Sequence, residues 1–301
     1  MSMNNHNILV IGKGYLGNAI QQRLGCIIKS REELNYHDIS ILSKYLLNNA
    51  IKVIINCSGF TGKPNVDEAE SKKELCWELN VMSPLRINRL CKTLGVKYIH
   101  ISSGCIYEGY HKEWDEQDSP NFGLFQNHSS FYSKSKHAFE KFSEDLNNII
   151  LRIRMPIGDD ESSRNYLTKI SQYTNLIDYL NSKTYIPDLC EVVYKICFGN
   201  IKMKDREIIN VVNPEPLKTS EVCEIMKKYG FHNSHWKFIP ITDLGTVANR
   251  SNCVLNSNKV NRIHQMLTEK EVIEKIYEQK TSNCISSRNR ESAFPIDENY
   301  Q

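Results

Sequence analysis

Apolar and polar positions follow two rhythms along the first half of the chain, one extended and one helical. Ile8 to Ile11 is a short apolar run, and Leu16, Ala19, Ile20 and Leu24 behind it fall at helical spacing. Cys26 to Lys29 resumes the extended pattern, "DISILSKYLLNNA" (38–50) reads as an amphipathic helix, and "IKVIINCSG" (51–59) is a third strand. A long helical region is expected from about Asp67 to Leu94, with a break or kink at Pro84, before a strand at 97–101. A helix beginning near Tyr132 and a strand in "NIILRIRM" (148–155) continue the alternation. Strand, helix, strand, helix predicts a Rossmann-type, doubly wound parallel sheet with helices on both faces.

Beyond that point the rhythm loosens. Residues 160–200 read as mainly helical, and "EIINVVN" (207–213) is a strand that can rejoin the sheet. "KTSEVCEIMKKYG" (218–230) is a helix with Thr219 or Ser220 as N-cap and Gly230 closing it. The expected organisation is an α/β domain over 1–158 and a smaller, interleaved C-terminal substrate lobe over 159–280, with 207–213 returning to the sheet. Residues 281–301, polar and aperiodic, read as a tail.

Composition narrows the partners. The 301 residues, 40% hydrophobic, can bury a sizeable core. A formal charge of only +3 argues against a dedicated nucleic-acid or polybasic membrane surface. No run approaches the ~18 to 20 apolar residues of a membrane span, and "MSMNNHN" is no signal-peptide core, so a cytoplasmic protein is expected. Ten cysteines with no CxxC pair fit reduced thiols better than a disulfide framework or a zinc site; Cys57, Cys91 and Cys197 lie in apolar stretches and need only packing. The nine histidines show no metal-binding spacing, so no catalytic metal is expected.

Gly12, Gly14 and Gly17, between the first strand and the first helix, make a GxGxxG turn suited to a dinucleotide pyrophosphate. The second strand ends not in an acid but in Lys29-Ser30-Arg31, which points to the 2′-phosphate of NADPH, with NADH usable. A solvated basic turn is the alternative reading. Tyr132 and Lys136, four apart on a helix, share a face; an ammonium beside a phenol lowers the phenol's pKa and equips it to give a proton to a carbonyl oxygen. His100 reads as a core residue, Asn80 as structural support, and Trp77, Leu79 and Met82 as core or dimer-helix packing. The long stretch from Glu108 to Ser130 suits a lid or a surface excursion.

With these motifs on one chain, residues 8 to about 275 resemble the extended short-chain dehydrogenase/reductases. The likeness is to the dTDP-4-dehydrorhamnose reductase type, and within it to the bifunctional 3,5-epimerase/4-reductases that make UDP-L-rhamnose in plants and giant viruses. It is carried by "NCSGFTGKPNVDEAES" (56–71), "SSGCIYE" (102–108), "PNF" (120–122), "FYSKSK" (131–136), "LRIRMPI" (151–157) and "RNYLTKISQY" (164–173). The resemblance implies Tyr132 as proton donor, Lys136 as its partner on the nicotinamide ribose, and Ser103 on the C4 oxygen. It implies Cys105 and Lys169 as the epimerising pair. The cofactor would meet Gly12, Gly14, Tyr15, Leu16, Gly17, Arg31, Asp38 at the adenine, and Cys57, Ser58 and Gly59. Asn165 and Arg250 would hold the nucleotide sugar. Relative to the plant pattern, extra residues lie within "GLFQNHSS" (123–130).

In a 4-keto sugar the hydrogens on C3 and C5 are both α to the carbonyl, so stabilising the C4 oxyanion acidifies both. A thiol two residues after Ser103 can reach those carbons, and a thiol's ordinary pKa near ~8.5 lets it exchange protons at cellular pH. Taken without the resemblance, Cys105 would be a packed turn cysteine and Lys169 a solvated helix lysine. The implied reaction is NADPH-dependent conversion of a 4-keto-6-deoxy-glucose nucleotide, UDP favoured over dTDP, to the L-rhamnose nucleotide. The substrate would come from a separate 4,6-dehydratase, and a homodimer is allowed. Three alternatives stay open: a 4-reductase served by a separate epimerase, a non-catalytic NADP-binding regulatory subunit like that of methionine adenosyltransferase, and a fucose-type product.

Overall fold

The computed structural model describes residues 4–199, 201, 203–231 and 233–291, and side chains up to 283. It begins with β1 (Ile8–Ile11), α1 (Tyr15–Leu24), β2 (Ile27–Lys29), α2 (Ile39–Asn48) and β3 (Val53–Asn56). The chain then passes α3 (Glu68–Ser71), α4 (Lys73–Trp77), a π-helical turn (Glu78–Met82) and α5 (Ser83–Leu94) to reach β4 (Lys97–Ser103). β5 (Gly109–Trp114), α6 (Phe131–Phe142) and β6 (Asn148–Ile153) follow. The remainder is β7 (Pro156–Ile157), α7 (Tyr166–Gln172), β8 (Asn175–Leu176), β9 (Thr184–Tyr185), α8 (Ile186–Phe198), β10 (Arg206–Asn210) and α9 (Thr219–Lys228). β11 (Lys237–Phe238), β12 (Cys253–Leu255), α10 (Asn258–Asn261) and α11 (Glu269–Glu291) complete it.

Six parallel strands form the central sheet in the order β10-β6-β4-β3-β1-β2. Strand residues alternate between two cores, as a sheet covered on both faces requires. Ile8, Val10, Val53, Ile55, Ile99, Ile101, Ile149 and Leu151 pack with Ile20 of α1 and Leu189 and Val193 of α8. Leu9, Ile11, Ile54, Tyr98 and Ile150 face the opposite way, toward Leu42, Leu46, Leu85 and Phe139 on α2, α5 and α6. β1 lies between β2 and β3, so the chain order reverses there and the loops at the strand ends part into a crevice. A third core joins Leu167, Ile170, Val222, Met226, Val272 and Ile276 from α7, α9 and α11.

The structure departs from the sequence reading where tertiary partners override local pattern. The helical region 67–94 is interrupted at Lys72 and widened into the π turn, with Pro84 in the first turn of α5. Proline has no N–H to return to the carbonyl of Asn80, so the ladder loosens just upstream of it. Residues 160–200 are not mainly helical: between α7 and α8 the chain goes to β8, paired with β11, and β9, paired with β7. The N-cap of α9 is Lys218, whose backbone N–H donates to Glu221. The supposed tail is helical as far as Glu291, since no Gly or Pro stops α11 once its first half has docked on α9. The rest of that tail, residues 292–301, lies outside the described residues. No helix among the described residues is long and apolar enough to cross a membrane.

Candidate active site

A cleft of about 1120 Å³ opens over the C-terminal ends of β1, β3, β4 and β6 and extends beneath α7. At its floor the three glycines do separate jobs. Gly12 has φ +97°, and a Cβ there would lie 2.6 Å from the Ser58 nitrogen. A Cβ on Gly17 would lie 2.1 Å from the Gly12 carbonyl oxygen, so helix and turn could not close. Gly14 faces open space, as a backbone reserved for a ligand's approach should. Leu16, Cys57, Ser58 and Gly59 line the same floor. Tyr15 lines it too, with its hydroxyl bound to Asp160 at 2.7 Å, so the glycine turn is tied to the loop before α7.

Helix α6 starts where Ser130 accepts the Ser133 N–H, which presents Tyr132 and Lys136 on the cleft side. Both are buried, with the ammonium 5.7 Å from the centre of the phenol ring. The expected lowering of the phenol's pKa is not found. Burial pushes it up, Cys105 adds to the rise, and a hydrogen bond with Ser103 opposes both. Burial likewise holds Lys136 below its ordinary value. Desolvation is the largest influence on both groups, and it favours the neutral form of each. Asn80 braces the helix from behind: it accepts from the Phe60 N–H at 2.7 Å and donates to Ser135 at 3.0 Å. His100 is a core residue, its ring 4.1 Å from that of Phe139.

At the end of β4 the Ser103 hydroxyl accepts the Cys105 N–H at 3.2 Å. Cys105 is half-buried, packs beside the cluster containing Tyr132 and Phe60, and lines the cleft. Lys169, on α7, lines it as well, its ammonium disfavoured by burial and then by Arg164. Arg164 donates to the Gly62 carbonyl at 3.1 Å. Arg250 reaches the cleft paired to Asp67 at 2.8 Å. Arg31 is exposed and lines a smaller depression of about 260 Å³ with Lys13, Ser30, Tyr36 and His37, beyond the end of β2, which adjoins the cleft through Ser58 and Gly59.

Two expected residues are given other work. Asn165 is fully buried away from the cleft as the N-cap of α7; its amide donates to the carbonyls of Gly158 and Asp160 and its oxygen accepts from Leu167. Every side-chain polar atom is used by backbone, so Asn165 holds the loop before α7 in shape. Asp38 is the exposed N-cap of α2, with its carboxylate held by the N–H groups of Ser40 and Ile41. His37, one residue earlier, faces the depression instead.

The substrate-binding-domain model of the RmlD proteins matches residues 6–279. The chain belongs to the RmlD family. Within it, an Arabidopsis thaliana bifunctional dTDP-4-dehydrorhamnose 3,5-epimerase/reductase is 32% identical over 218 residues, covering 69% of each chain. A trifunctional UDP-glucose 4,6-dehydratase/UDP-4-keto-6-deoxy-D-glucose 3,5-epimerase/UDP-4-keto-L-rhamnose reductase from the same plant is 32% identical over 72% of this chain. The chain spans only 33% of that enzyme's length. Among solved structures, the L780 UDP-rhamnose synthase of Acanthamoeba polyphaga mimivirus superposes with a TM-score of 0.81 at 22% identity, over 92% of this chain and 99% of that one. The dTDP-4-dehydrorhamnose reductase of Bacillus anthracis in complex with NADP superposes at 0.77 and 20% identity, over 93% and 100%. Each of these folds covers more than nine-tenths of the present chain.

Several cleft residues escaped the sequence reading. Asp67, Arg154 and Arg164 all sit inside the segments that carried the family likeness, which was the signal for them. Lys13 and Glu33, bound to each other at 3.0 Å beside Ser30, had no such signal, because their meeting depends on how β1 and β2 pair. The stretch 108–130 is neither free lid nor loose excursion. β5 pairs with β12, Phe122 is buried, and the His128 carbonyl accepts from Asn249. Among the described residues no group of three or more His, Cys, Asp or Glu could hold a metal ion.

Proposed function

We propose that the protein is an NADPH-dependent enzyme that epimerises a nucleotide-linked 4-keto-6-deoxy-glucose at C3 and C5 and reduces it at C4. UDP is the favoured nucleotide, and the product is the L-rhamnose nucleotide. The observation that carries this reading is the meeting of Ser103, Cys105 and Tyr132 in one cleft, with Lys169 lining it from α7. The activities of the plant relatives agree with it.

The cleft's residues suit a dinucleotide. Gly14 leaves room for a pyrophosphate at the N-terminus of α1, and Lys13, Ser30 and Arg31 offer cationic and hydrogen-bonding groups to a 2′-phosphate. NADH would use the same floor without that last contact. Bound NADPH supplies the hydride for C4. Ser103 and Tyr132 hold the C4 oxygen, and Tyr132, kept neutral by burial, gives it the proton. Before reduction the same two donors stabilise negative charge on that oxygen while Cys105 takes a proton from C3 or C5. Lys169 returns a proton from the other face, and Arg250 meets the diphosphate. A 4,6-dehydratase would have to supply the ketone.

The test is incubation with UDP- and dTDP-4-keto-6-deoxy-glucose and NADPH in deuterated water, followed by NMR of the product. The expected product is a rhamnose nucleotide deuterated at C3 and C5, formed faster from the UDP substrate. Reduction without exchange leaves a 4-reductase that needs an epimerase. No NADPH oxidation with any 4-keto sugar leaves a binding subunit.

A further inference from the structure

Arg154, at the end of β6, is among the largest fully buried side chains of the described residues, and it has no acid beside it. The buried cations Arg152 and Lys183 each sit against a carboxylate, Glu140 and Glu269. Arg154 is held only by neutral acceptors. One terminal nitrogen donates to the Gly104 carbonyl at 3.2 Å and the Ser251 hydroxyl at 2.8 Å; the other donates to Asn181 at 2.6 Å and the Ser251 carbonyl at 3.0 Å. Its Nε–H is buried without a partner. Neutral dipoles satisfy N–H groups but cancel no charge, and an arginine cannot escape by losing its proton. A buried cation left open in this way is costly unless an anion joins it during function.

Its surroundings say where that anion would be. The side-chain stem packs on the turn between Ser103 and Cys105, where a Cβ on Gly104 would lie 3.1 Å from Arg154 Cγ. Arg154 lines the cleft, and the ionisable groups that favour its charge include the Cys253 and Cys105 thiols, the Tyr110 phenol and Glu269, which Lys183 already claims.

We propose that Arg154 is the fixed counter-charge for the negative charge that passes between the Cys105 sulfur and the sugar's C4 oxygen during epimerisation. The inference rests on the reading of Cys105 as the proton carrier. In that step the C–H bond breaks as the S–H bond forms, the C–H electron pair enters the ring C–C bond, and the charge leaves sulfur for the C4 oxygen. One negative charge is present before and after, displaced by a short distance. A cation without its own carboxylate attracts it at both positions, whereas a paired one would not. Arg154 is thus a positioning residue acting by charge, set into the wall beside the reacting groups.

One neutral and one charged replacement, Arg154→Gln and Arg154→Lys, test this by deuterium entry at C3 and C5, reduction of the already epimerised ketone, and UDP affinity. Arg154→Gln should lower exchange by about a hundredfold or more and leave the other two within about tenfold, and Arg154→Lys should restore most of the exchange. A purely structural role would lower all three together in both variants. The unmodified protein gives an independent readout that does not depend on a variant folding. Anionic iodoacetate should label Cys105 relative to neutral iodoacetamide at least about tenfold better than it labels glutathione. That preference should persist in Arg154→Lys. A ratio equal to that of glutathione overturns the proposal, as does normal exchange in Arg154→Gln. If Cys105→Ser still exchanges deuterium, the parent reading fails; if it does not while Arg154→Gln does, only the counter-charge is wrong.

Discussion

The Ser103 hydroxyl accepts the backbone N–H of Cys105 at 3.2 Å, and the same side chain lies close enough to the Tyr132 phenol to hold its pKa down against burial. One side chain therefore braces the turn that presents the thiol and adjoins the Tyr132 phenol. Ser103→Ala should depress both activities together, exchange and hydride transfer each by about 10- to 100-fold, with nucleotide affinity little changed. Stopped-flow NADPH oxidation and NMR exchange on the same variant check this. Loss of only one activity would mean that the hydroxyl serves one step alone.

Tyr132 is expected to act as a neutral acid, since burial raises its pKa above the ordinary phenol value. Tyr132→Phe keeps the packing against Phe60 and Cys76 but removes the proton, so hydride transfer should fall by about 10²- to 10⁴-fold while binding survives. Single-turnover oxidation of NADPH measures it. A normal rate would exclude the reductase assignment.

The sheet was legible because each strand's alternation serves two covered faces, and Ile8 to Ile11 or Lys97 to Ile101 could hardly be anything else. Tyr132 and Lys136 were legible because four residues on a helix put them on one face. Asn165 and Asp38 cap helices, because asparagine and aspartate at helix starts satisfy backbone N–H groups, and sequence likeness does not say whether a polar side chain faces ligand or backbone. The short strands β7 to β9 could not be read because partners distant in the chain decide them. Thr184 is extended because Pro156 lies beside it.

Cofactor selection should depend on Arg31 and on Glu33 together. Glu33 accepts from Lys13 at 3.0 Å and from the Ser30 N–H at 2.8 Å, so an acid holds two of the groups a 2′-phosphate would use. Arg31→Ala should raise the KM for NADPH about tenfold more than that for NADH, the scale of one charged hydrogen bond. Glu33→Gln should shift preference the other way, toward NADPH. Titration of the free enzyme with NADP⁺ and NAD⁺ separates binding from turnover, and equal use of both cofactors by the parent would remove the basis for both changes.

Stability should be sensitive behind the site. Two Arg152 nitrogens donate to one Glu140 carboxylate oxygen at 2.7 and 3.1 Å, with 3% of each side chain exposed, and Ser102 and Tyr107 join the pair. Glu140→Ala strands a buried guanidinium and should cost about 3 to 5 kcal/mol in urea unfolding. Combining Glu140→Leu with Arg152→Met should recover most of it. A loss under about 1 kcal/mol for the single change would show that water reaches Arg152 after all.

The sharpest division of labour is expected between Cys105 and Lys169. Cys105→Ser keeps the size of the side chain but substitutes a hydroxyl that carries protons poorly at neutral pH, so deuterium entry at C3 and C5 should drop about 10²-fold, roughly 3 kcal/mol of barrier. Ketone presented in the epimerised form should still be reduced, because Tyr132, Lys136 and Ser103 are untouched. Lys169 gives a proton only while charged, and burial together with Arg164 lowers its pKa. Its contribution is therefore present below that lowered value and lost above it, so exchange should fall on the alkaline side before a free lysine would titrate, near ~10.4. Lys169→Ala should remove that limb of the pH profile and slow one carbon more than the other, since return of a proton with inversion needs a donor on the face opposite the thiol. An unchanged alkaline limb in Lys169→Ala would assign the donor to another group, and undiminished exchange in Cys105→Ser would leave the thiol as packing in the turn after β4.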